Sequence, residues 1–179
     1  FGNDAKTAKK LDALLGLLFK EEQIFRIDHY LAKEALQNLL AFRFSNALFE
    51  PLWSHEYIDN VSITLAETDT IGTRGAFYEG VGALKDVGQN HLLQMLSLIA
   101  MEPPKDVRTD SIRHERTRVL RVLQGGGSPL SHYVVRGQYE GYTKESGVAP
   151  DSTTETFFSM KVFVRNKRFR GVPFVLTSG

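Results

Sequence analysis

The chain contains two hydrophobic periodicities, and the order in which they occur constrains its fold more than any other feature of the sequence. Apolar residues recur at helical spacing in four segments that precede the Gly125–Gly127 run, and they alternate at strand spacing after it. One alternating segment lies among the helical ones. Helices followed by a block of strands are typical of α+β proteins. We therefore predict an α+β fold in which helices pack on one face of a mostly antiparallel sheet.

Local signals set the limits of these elements. The predicted helices cover residues 4–20, 29–46, 84–101 and about 110–124. The predicted strands cover residues 58–67, 131–139, 155–165 and 171–177. Asp28 stands at the N-cap position of the second helix, where a carboxylate accepts hydrogen bonds from free amides. The apolar face of the first helix consists of Leu11, Leu14, Leu15 and Leu18.

Composition excludes several classes of protein. Hydrophobic residues make up 42% of the chain and charged residues 24%, which excludes an intrinsically disordered chain. Cysteine is absent, so disulfide frameworks, thiolate metal sites and thiol catalysis are excluded as well. The longest apolar run, Leu14–Phe19, is too short to cross a bilayer. We predict a protein of a reducing compartment, the cytoplasm, with no membrane partner.

Charge gives no indication of a nucleic-acid partner or a metal. The formal net charge is +1, which creates no field that would recruit a polyanion. Residues 107–124 carry five arginines against two carboxylates, but without interleaved aromatic residues a solvated helix face or internal ion pairs explain them better. The five histidines lack the spacing of a zinc site. We predict neither nucleic acid nor a metal ion as a ligand.

The segment Arg26–Glu34, with the sequence RIDHYLAKE, brings three phosphate-binding side chain types together. If a helix begins near Asp28, then His29, Tyr30 and Lys33 lie at the same end of that helix. A helix amino terminus offers free amides and a partial positive charge, so these residues can form a phosphate cradle. An ordinary capped helix with a solvated lysine accounts for the same spacing.

His91 interrupts the apolar stripe of the third predicted helix, four residues from both Val87 and Met95. A histidine there is either a hydrogen-bonded core residue or a base poised for proton abstraction. Asp86 lies near the start of the same helix, where it can simply cap it. Glu67, at the end of the first strand, either borders a cleft and binds a polyol or reaches solvent.

The run Gly80–Lys85, GVGALK, begins like a dinucleotide-binding fingerprint. Lys85 replaces the third glycine, and no strand precedes the run within a βαβ unit. We therefore reject it as a cofactor-binding motif.

Two long motifs are similar to those of the glucose-6-phosphate dehydrogenases. Residues 26–34 resemble the substrate-binding signature of that family, and residues 86–96, DVGQNHLLQML, resemble its catalytic-histidine segment. Shorter stretches at 18–24, 100–103 and 171–176 also match in order, so the resemblance covers nearly the whole chain. Ala32 stands where a glycine is usual in the signature.

The resemblance implies substrate-binding roles for five residues. His29, Tyr30 and Lys33 would bind the phosphate of glucose 6-phosphate. Glu67 and Asp86 would hold the sugar hydroxyls.

The resemblance also implies a catalytic pair. His91 would be the general base that takes the proton of the C1 hydroxyl, while the C1 hydride passes to NADP. Asp28 would orient His91 and stabilise its imidazolium. The product would be 6-phosphogluconolactone, in the pentose phosphate pathway.

The family has more sequence on both sides of this chain, which opens at Phe1 rather than Met and stops at Gly179 after a strand-like run. We expect residues 1–179 to be a segment of the substrate-binding and dimerisation domain, truncated at both ends. The resemblance implies that an N-terminal Rossmann domain, absent from this chain, binds most of the NADP. It also implies a homodimer or homotetramer, and a chain that is inactive alone. The alternative is a non-catalytic phosphosugar-binding or oligomerisation module with the same fold.

Overall fold

A five-stranded sheet lies at the centre of the computed structural model, which describes residues 4–179. The strands are β1 Val61–Leu65, β2 Leu123–Gly125, β3 Val134–Gly137, β4 Phe157–Val164 and β5 Pro173–Ser178. β4 pairs antiparallel with β5 along one edge, and β2 and β3 share its other edge. β1 adds to β5 in parallel. The mostly antiparallel sheet confirms the predicted α+β class, although β2 was not predicted.

Helices bury one face of this sheet. The longer helical elements are α1 Ala5–Leu18, α2 Glu34–Phe44, α3 Gly75–Glu79, the π-helical segment Leu84–Leu92, α4 Leu93–Ala100 and α5 Thr109–Arg121. Single 3₁₀ turns occur at Glu21–Gln23, Glu50–Leu52, Gly72–Arg74, Leu130–His132 and Tyr142–Lys144. The π-helical segment packs on β5 and β1, and α4 packs between α5 and α2. Among the described residues, no helix is long and apolar enough to span a bilayer.

The pairing register explains which face is buried. Strand side chains alternate between the faces, and β1, β4 and β5 direct the same set of apolar residues towards the helices. The buried members of this set are Ile63, Phe158, Val162, Val164, Phe174 and Leu176. On the opposite face, Ser62, Thr64 and Lys161 are exposed. The alternation predicted in residues 58–67 and 155–165 is confirmed.

A glycine sets how closely the π-helical segment approaches the sheet. A Cβ atom added to Gly88 would lie 2.7 Å from Cζ of Phe158 in β4. Gly88 and Phe158 are both buried, so neither can move into solvent. The absence of a side chain at Gly88 therefore fixes the position of the helical turn that precedes His91.

The carboxyl end of α4 is held by a buried cation. Arg43 of α2 is fully buried and donates hydrogen bonds to the carbonyl oxygens of Leu98, Ile99 and Met101, at 3.1, 2.8 and 2.9 Å. These carbonyls have no partner within the helix, so the guanidinium replaces the missing amide donors. Burial lowers the pKa of Arg43 to about 10, which leaves it charged at neutral pH.

The first helix forms where it is predicted, but its apolar face is not buried by the described residues. Asp4 caps the helix, because its Oδ1 accepts from the amides of Lys6 and Thr7 at 2.7 and 2.8 Å. None of the residues of α1 is buried, and the exposed fractions of Leu14 and Leu18 are 53% and 65%.

The second predicted helix begins five residues later than expected, at Glu34 rather than His29. Oδ1 of Asp28 accepts from the amides of Tyr30 and Leu31 at 2.9 and 3.3 Å, which closes a turn instead of a helix. Asp28 therefore does receive backbone amides, but it is not the N-cap of α2.

The third predicted helix, 84–101, is present over residues 84–100, but its first nine residues are π-helical. The amide of Leu93 donates to the carbonyl of Gly88, five residues back rather than four. This wider winding changes which side chains share a face, so the stripe drawn through His91 with a regular helical period does not hold.

We expect Gly88→Ala to lower the free energy of unfolding by about 1–3 kcal/mol, because the added methyl group overlaps the Phe158 ring. Gly16→Ala is the matched control: it also lies in a helix, but no atom lies within 4 Å of its added Cβ. That variant should be about 1 kcal/mol more stable than the unchanged chain. Urea unfolding followed by circular dichroism measures both, and equal effects would contradict the close-approach argument.

Candidate active site

Three aromatic rings from two separate parts of the chain meet between the π-helical segment and the end of β1. The ring centroids of His29 and Tyr30 lie 4.4 Å apart, and that of His91 lies 5.0 Å from His29 and 4.4 Å from Tyr30. His29 and Tyr30 lie on the turn closed by Asp28, whereas His91 lies near the end of the π-helical segment. His91 follows His29 by 62 positions and Tyr30 by 61, so the fold brings distant parts of the chain into one cluster.

The Asp28 carboxylate connects these two parts. Its Oδ1 receives the turn amides, and its Oδ2 lies 3.1 Å from Nδ1 of His91. Both side chains are largely shielded, with exposed fractions of 17% for Asp28 and 19% for His91. A carboxylate at Nδ1 favours the tautomer with its proton on Nδ1, which leaves Nε2 as the proton acceptor. The arrangement can therefore act as an oriented base.

Tyr30 is buried between this pair and the end of β1. Its hydroxyl donates to Oε1 of Glu67 at 3.1 Å, and only 8% of the residue is exposed. Burial raises the pKa of the Tyr30 hydroxyl, and the hydrogen bond to Glu67 raises it further. Nζ of Lys33 lies 4.3 Å from the centroid of the Tyr30 ring, so a cation stands over the ring face.

Asp86 is held by an arginine rather than by the helix start. Nη2 of Arg74 donates to its Oδ2 at 3.0 Å. The alternative that Asp86 caps the helix is wrong, because the amide of Leu84 at the helix start donates to Oε1 of Glu155 at 3.1 Å. Glu155, 71 positions away from Leu84 in sequence, carried no local signal by which it could be found.

Two clefts adjoin the cluster. The first has a volume of about 480 Å³, and its lining includes Glu67, Ile71, Arg74, Tyr78, Asp86 and Tyr139. The second has a volume of about 700 Å³, and its lining includes Asp28, His91, Gln94, Arg113 and Arg116. Because Tyr30 contacts both His91 and Glu67, it links the side chains of one cleft to those of the other.

The structure thus brings the predicted site residues together, but not by the predicted means. Lys33 is the N-cap of α2, and the turn before it carries His29 and Tyr30. The prediction that all three side chains lie on one helix is wrong, since the Asp28 turn displaces the helix start. Sequence reasoning missed Arg74 and Arg116 as neighbours of the site, because the first lies in an irregular glycine-rich stretch and the second in an ordinary amphipathic helix.

Neither a cluster of metal ligands nor a dinucleotide cradle at Gly80–Lys85 is present in the part of the chain that the structure describes. No three His, Asp or Glu side chains of residues 4–179 converge as metal ligands. The run Gly80–Lys85 joins α3 to the π-helical segment, so it follows a helix and not a strand. It lacks the strand–turn–helix geometry that cradles a dinucleotide.

Comparison with protein families identifies two matching models. Residues 40–179 match the model described as glucose-6-phosphate dehydrogenase, C-terminal domain. Residues 1–38 match the model described as glucose-6-phosphate dehydrogenase, NAD binding domain. The two models meet inside α2, which runs continuously through residues 38–40. That residues 1–179 form one segment of the substrate domain stays a prediction.

Curated proteins and solved structures agree with this match. The chain is 46% identical to the glucose-6-phosphate 1-dehydrogenase of Borreliella burgdorferi and 45% identical to that of Bacillus subtilis, and it covers 40% and 39% of their lengths. All of the chain is aligned in both cases. The chain therefore spans about two fifths of the length of these relatives.

Two solved structures have the same fold over the whole chain. The crystal structure of glucose-6-phosphate 1-dehydrogenase from Mycobacterium avium superposes with a TM-score of 0.91 at 42% identity, and 39% of it is covered. A glucose-6-phosphate dehydrogenase in complex with its substrate glucose 6-phosphate gives a TM-score of 0.92 at 36% identity, with 38% covered.

Substitutions at Asp28 can separate its two functions in the fold. Asp28→Asn keeps an oxygen that accepts the Tyr30 amide, so we expect its stability to stay within about 0.5 kcal/mol of the original. Asp28→Ala removes the acceptor and should cost about 1–2 kcal/mol. Thermal unfolding measures the difference, and an Asn variant as unstable as the Ala variant would show that the bond to His91, not the turn, dominates.

Proposed function

The chain belongs to the glucose-6-phosphate dehydrogenase family, and we propose on this basis that it is the substrate-side part of an enzyme that oxidises glucose 6-phosphate. The proposed reaction converts the C1 hydroxyl of the sugar phosphate to the carbonyl of 6-phosphogluconolactone, a step of the pentose phosphate pathway. The observation that carries the proposal is the Asp28–His91 bond, which holds a histidine as an oriented base on the lining of the 700 Å³ cleft.

We propose that Nε2 of His91 accepts the proton of the C1 hydroxyl. As that O–H bond breaks, its electron pair forms the carbonyl, and the C1 hydrogen leaves with its electrons as hydride. The imidazolium that results is stabilised by Asp28, whose Oδ2 is 3.1 Å from Nδ1. Because the same carboxylate is anchored by the turn amides, the base is held in one orientation without losing entropy at each turnover.

Phosphate binding is assigned to His29, Tyr30 and Lys33. Their side chains are grouped by the turn, with the ammonium of Lys33 above the Tyr30 ring. A phosphate far from C1 provides binding energy that can hold the reacting carbon against the base.

Hydroxyl binding is assigned to Glu67 and Asp86. The bond from Tyr30 uses Oε1 of Glu67, and the bond from Arg74 uses Oδ2 of Asp86. The second oxygen of each carboxylate can accept a hydrogen bond from a sugar hydroxyl. Both residues line the 480 Å³ cleft. A cleft of this size and polarity suits a monosaccharide phosphate.

The hydride acceptor of the proposed reaction is NADP. A nucleotide cofactor is supported by the match of residues 1–38 to the model of the NAD binding domain. We assign none of the described residues to NADP, since the glycine-rich run Gly80–Lys85 follows a helix and not a strand. We propose that the chain alone forms no NADPH.

We further propose that the intact protein is a homodimer or homotetramer that uses the uncovered sheet face. That face carries exposed polar residues such as Ser62 and Thr64 beside the 58%-exposed Val135. The cytoplasmic location expected from the lack of cysteine stays a prediction.

Calorimetric titration of the chain tests the substrate site directly. We expect weak but selective binding of glucose 6-phosphate, with no comparable heat from glucose or inorganic phosphate. Lys33→Ala should weaken this binding roughly tenfold or more, because a charge-assisted phosphate contact is lost. Lys105→Ala, an exposed lysine outside the site, is the control and should bind as the original does. Equal losses of affinity in Lys33→Ala and Lys105→Ala would contradict the assignment of phosphate binding to Lys33.

The role of the base is tested with His91→Asn in the complete polypeptide that contains these residues. A general base predicts a fall in kcat of about 10²–10⁴-fold with a nearly unchanged KM for glucose 6-phosphate. A variant that folds and keeps its kcat would overturn the assignment of His91 as the base. Lost folding instead of lost turnover would indicate a structural histidine, as expected of a non-catalytic phosphosugar-binding module.

A further inference from the structure

Arg74 is held at three points beside the 480 Å³ cleft, and no role has been assigned to it. Its Nη2 donates to Oδ2 of Asp86 at 3.0 Å. Its guanidinium lies 5.3 Å from the centroid of the Phe77 ring. Its amide donates to the carbonyl of Ile71 at 3.0 Å, which closes the single turn that precedes α3. Since Arg74 and Asp86 both line the cleft, their ion pair forms part of its wall.

This ion pair does little for the stability of the fold. The side chain of Arg74 is 56% exposed and that of Asp86 is 25% exposed. Water screens the charges of such a pair, so its contribution to the free energy of unfolding is small. What the pair does is restrain the direction of the Asp86 carboxylate. In residues 4–179, no amide or side chain donates a hydrogen bond to the other oxygen, Oδ1, which is therefore available to a ligand in the cleft.

The connection between β3 and β4 supports the backbone next to Arg74. A Cβ atom added to Gly75, the residue that follows Arg74, would overlap the carbonyl oxygen of Ser146. Gly147 has a φ of +81°, and a Cβ atom added to it would lie 2.8 Å from the amide nitrogen of Ala76. Both positions need glycine, because the two backbones are in direct contact. The start of α3 therefore has no room to move towards this connection.

Glu79 ties the same connection to the other end of α3. Its Oε1 accepts hydrogen bonds from the hydroxyl of Tyr142, at 2.7 Å, and from that of Ser152. Its carbonyl accepts from the hydroxyl of Thr154 at 3.0 Å. Helix α3 is thus attached to one connection at both of its ends. Arg74, which immediately precedes this helix, projects its guanidinium from a fixed backbone.

We propose that Arg74 is a positioning residue for Asp86, and that it makes the cleft selective for the configuration of one sugar carbon. The ion pair holds one carboxylate oxygen, so the other oxygen accepts a hydroxyl from a defined direction. A carboxylate that is free to rotate can follow either epimer, whereas a restrained one favours a single configuration. The inference rests on the proposed function, in which Asp86 binds a sugar hydroxyl. Arg74 itself needs no contact with the substrate.

The experiment compares glucose 6-phosphate with its epimers at C2, C3 and C4, which are mannose, allose and galactose 6-phosphate. The ratio of kcat/KM for glucose 6-phosphate to that for each epimer is measured in the complete polypeptide that contains these residues. Asp86→Ala identifies the epimer concerned, because the ratio for that epimer falls when the acceptor is removed. We expect Arg74→Gln to lower the same ratio by about three- to tenfold. Arg74→Lys keeps a cation near Asp86 and should restore most of the ratio.

A double-mutant cycle separates an indirect role of Arg74 from a direct contact with the substrate. If Arg74 acts through Asp86, adding Arg74→Gln to Asp86→Ala should lower kcat/KM for glucose 6-phosphate no further. Additive losses in the double variant would overturn the proposal. An unchanged epimer ratio in Arg74→Gln would overturn it as well. Circular dichroism of each variant establishes that the fold is intact.

The matched control is Arg118→Gln on α5. It removes an ion pair of the same 3.0 Å length, to Glu115, from a side chain that is 59% exposed. Arg118 does not line the 480 Å³ cleft, so all three epimer ratios should stay unchanged. A fall equal to that in Arg74→Gln would contradict the proposal. If the unchanged polypeptide oxidises glucose 6-phosphate but the cycle is additive, the role of Arg74 alone fails, whereas a lack of turnover in the unchanged polypeptide overturns the proposed function itself.

Discussion

The site depends on one carboxylate whose two oxygens serve two parts of the chain. Oδ1 of Asp28 closes the signature turn, and Oδ2 binds His91 on the helical layer. The turn moves the start of α2 to Glu34 and thereby leaves His29 and Tyr30 outside a helix, where their rings can reach His91. Ring contacts of His91 with His29 and Tyr30, and the packing of Tyr30 in the core, add to this connection. The two oxygens of one carboxylate thus set the position of His91 relative to the turn.

The helices that carry His91 are fixed in place by one close steric contact and by buried cations. Gly88 allows the π-helical segment to approach β4, and Arg43 holds the far end of α4 through three carbonyls. Arg168 adds a second cation there, with Glu50 at 2.8 Å and Glu102 at 2.7 Å. Between these two fixed ends lies the helical run that carries His91. A histidine on such a run has little freedom, which suits the proton transfer proposed for His91.

Local pattern was sufficient for four of the five strands, β2 being the exception, and insufficient wherever a distant atom decides the structure. The alternation around Val162 predicted β4 because a half-buried strand imposes a period of two. Helix α2 begins later than predicted because the carboxylate of Asp28 accepts hydrogen bonds from amides that would otherwise lie in the first turn of a helix. The same local sequence is compatible with a helix N-cap and with this turn. The predicted site residues other than Glu67 came from two long motifs, but Glu155 and Arg116 were not found. Their partners lie 71 and 22 positions away, beyond any periodicity.

The π-helical winding of Leu84–Leu92 has a consequence for how this segment tolerates changes in length. Each of its hydrogen bonds spans one residue more than an α-helical bond, so the segment holds a residue in excess of what an α-helix of similar length needs. Deleting one residue between Asp86 and His91 would let the backbone close as an ordinary α-helix without breaking the chain of bonds. The two side chains would then rotate about 100° relative to each other around the helix axis. A one-residue deletion in this stretch would thus leave a regular helix in which Asp86 and His91 no longer point towards the same region.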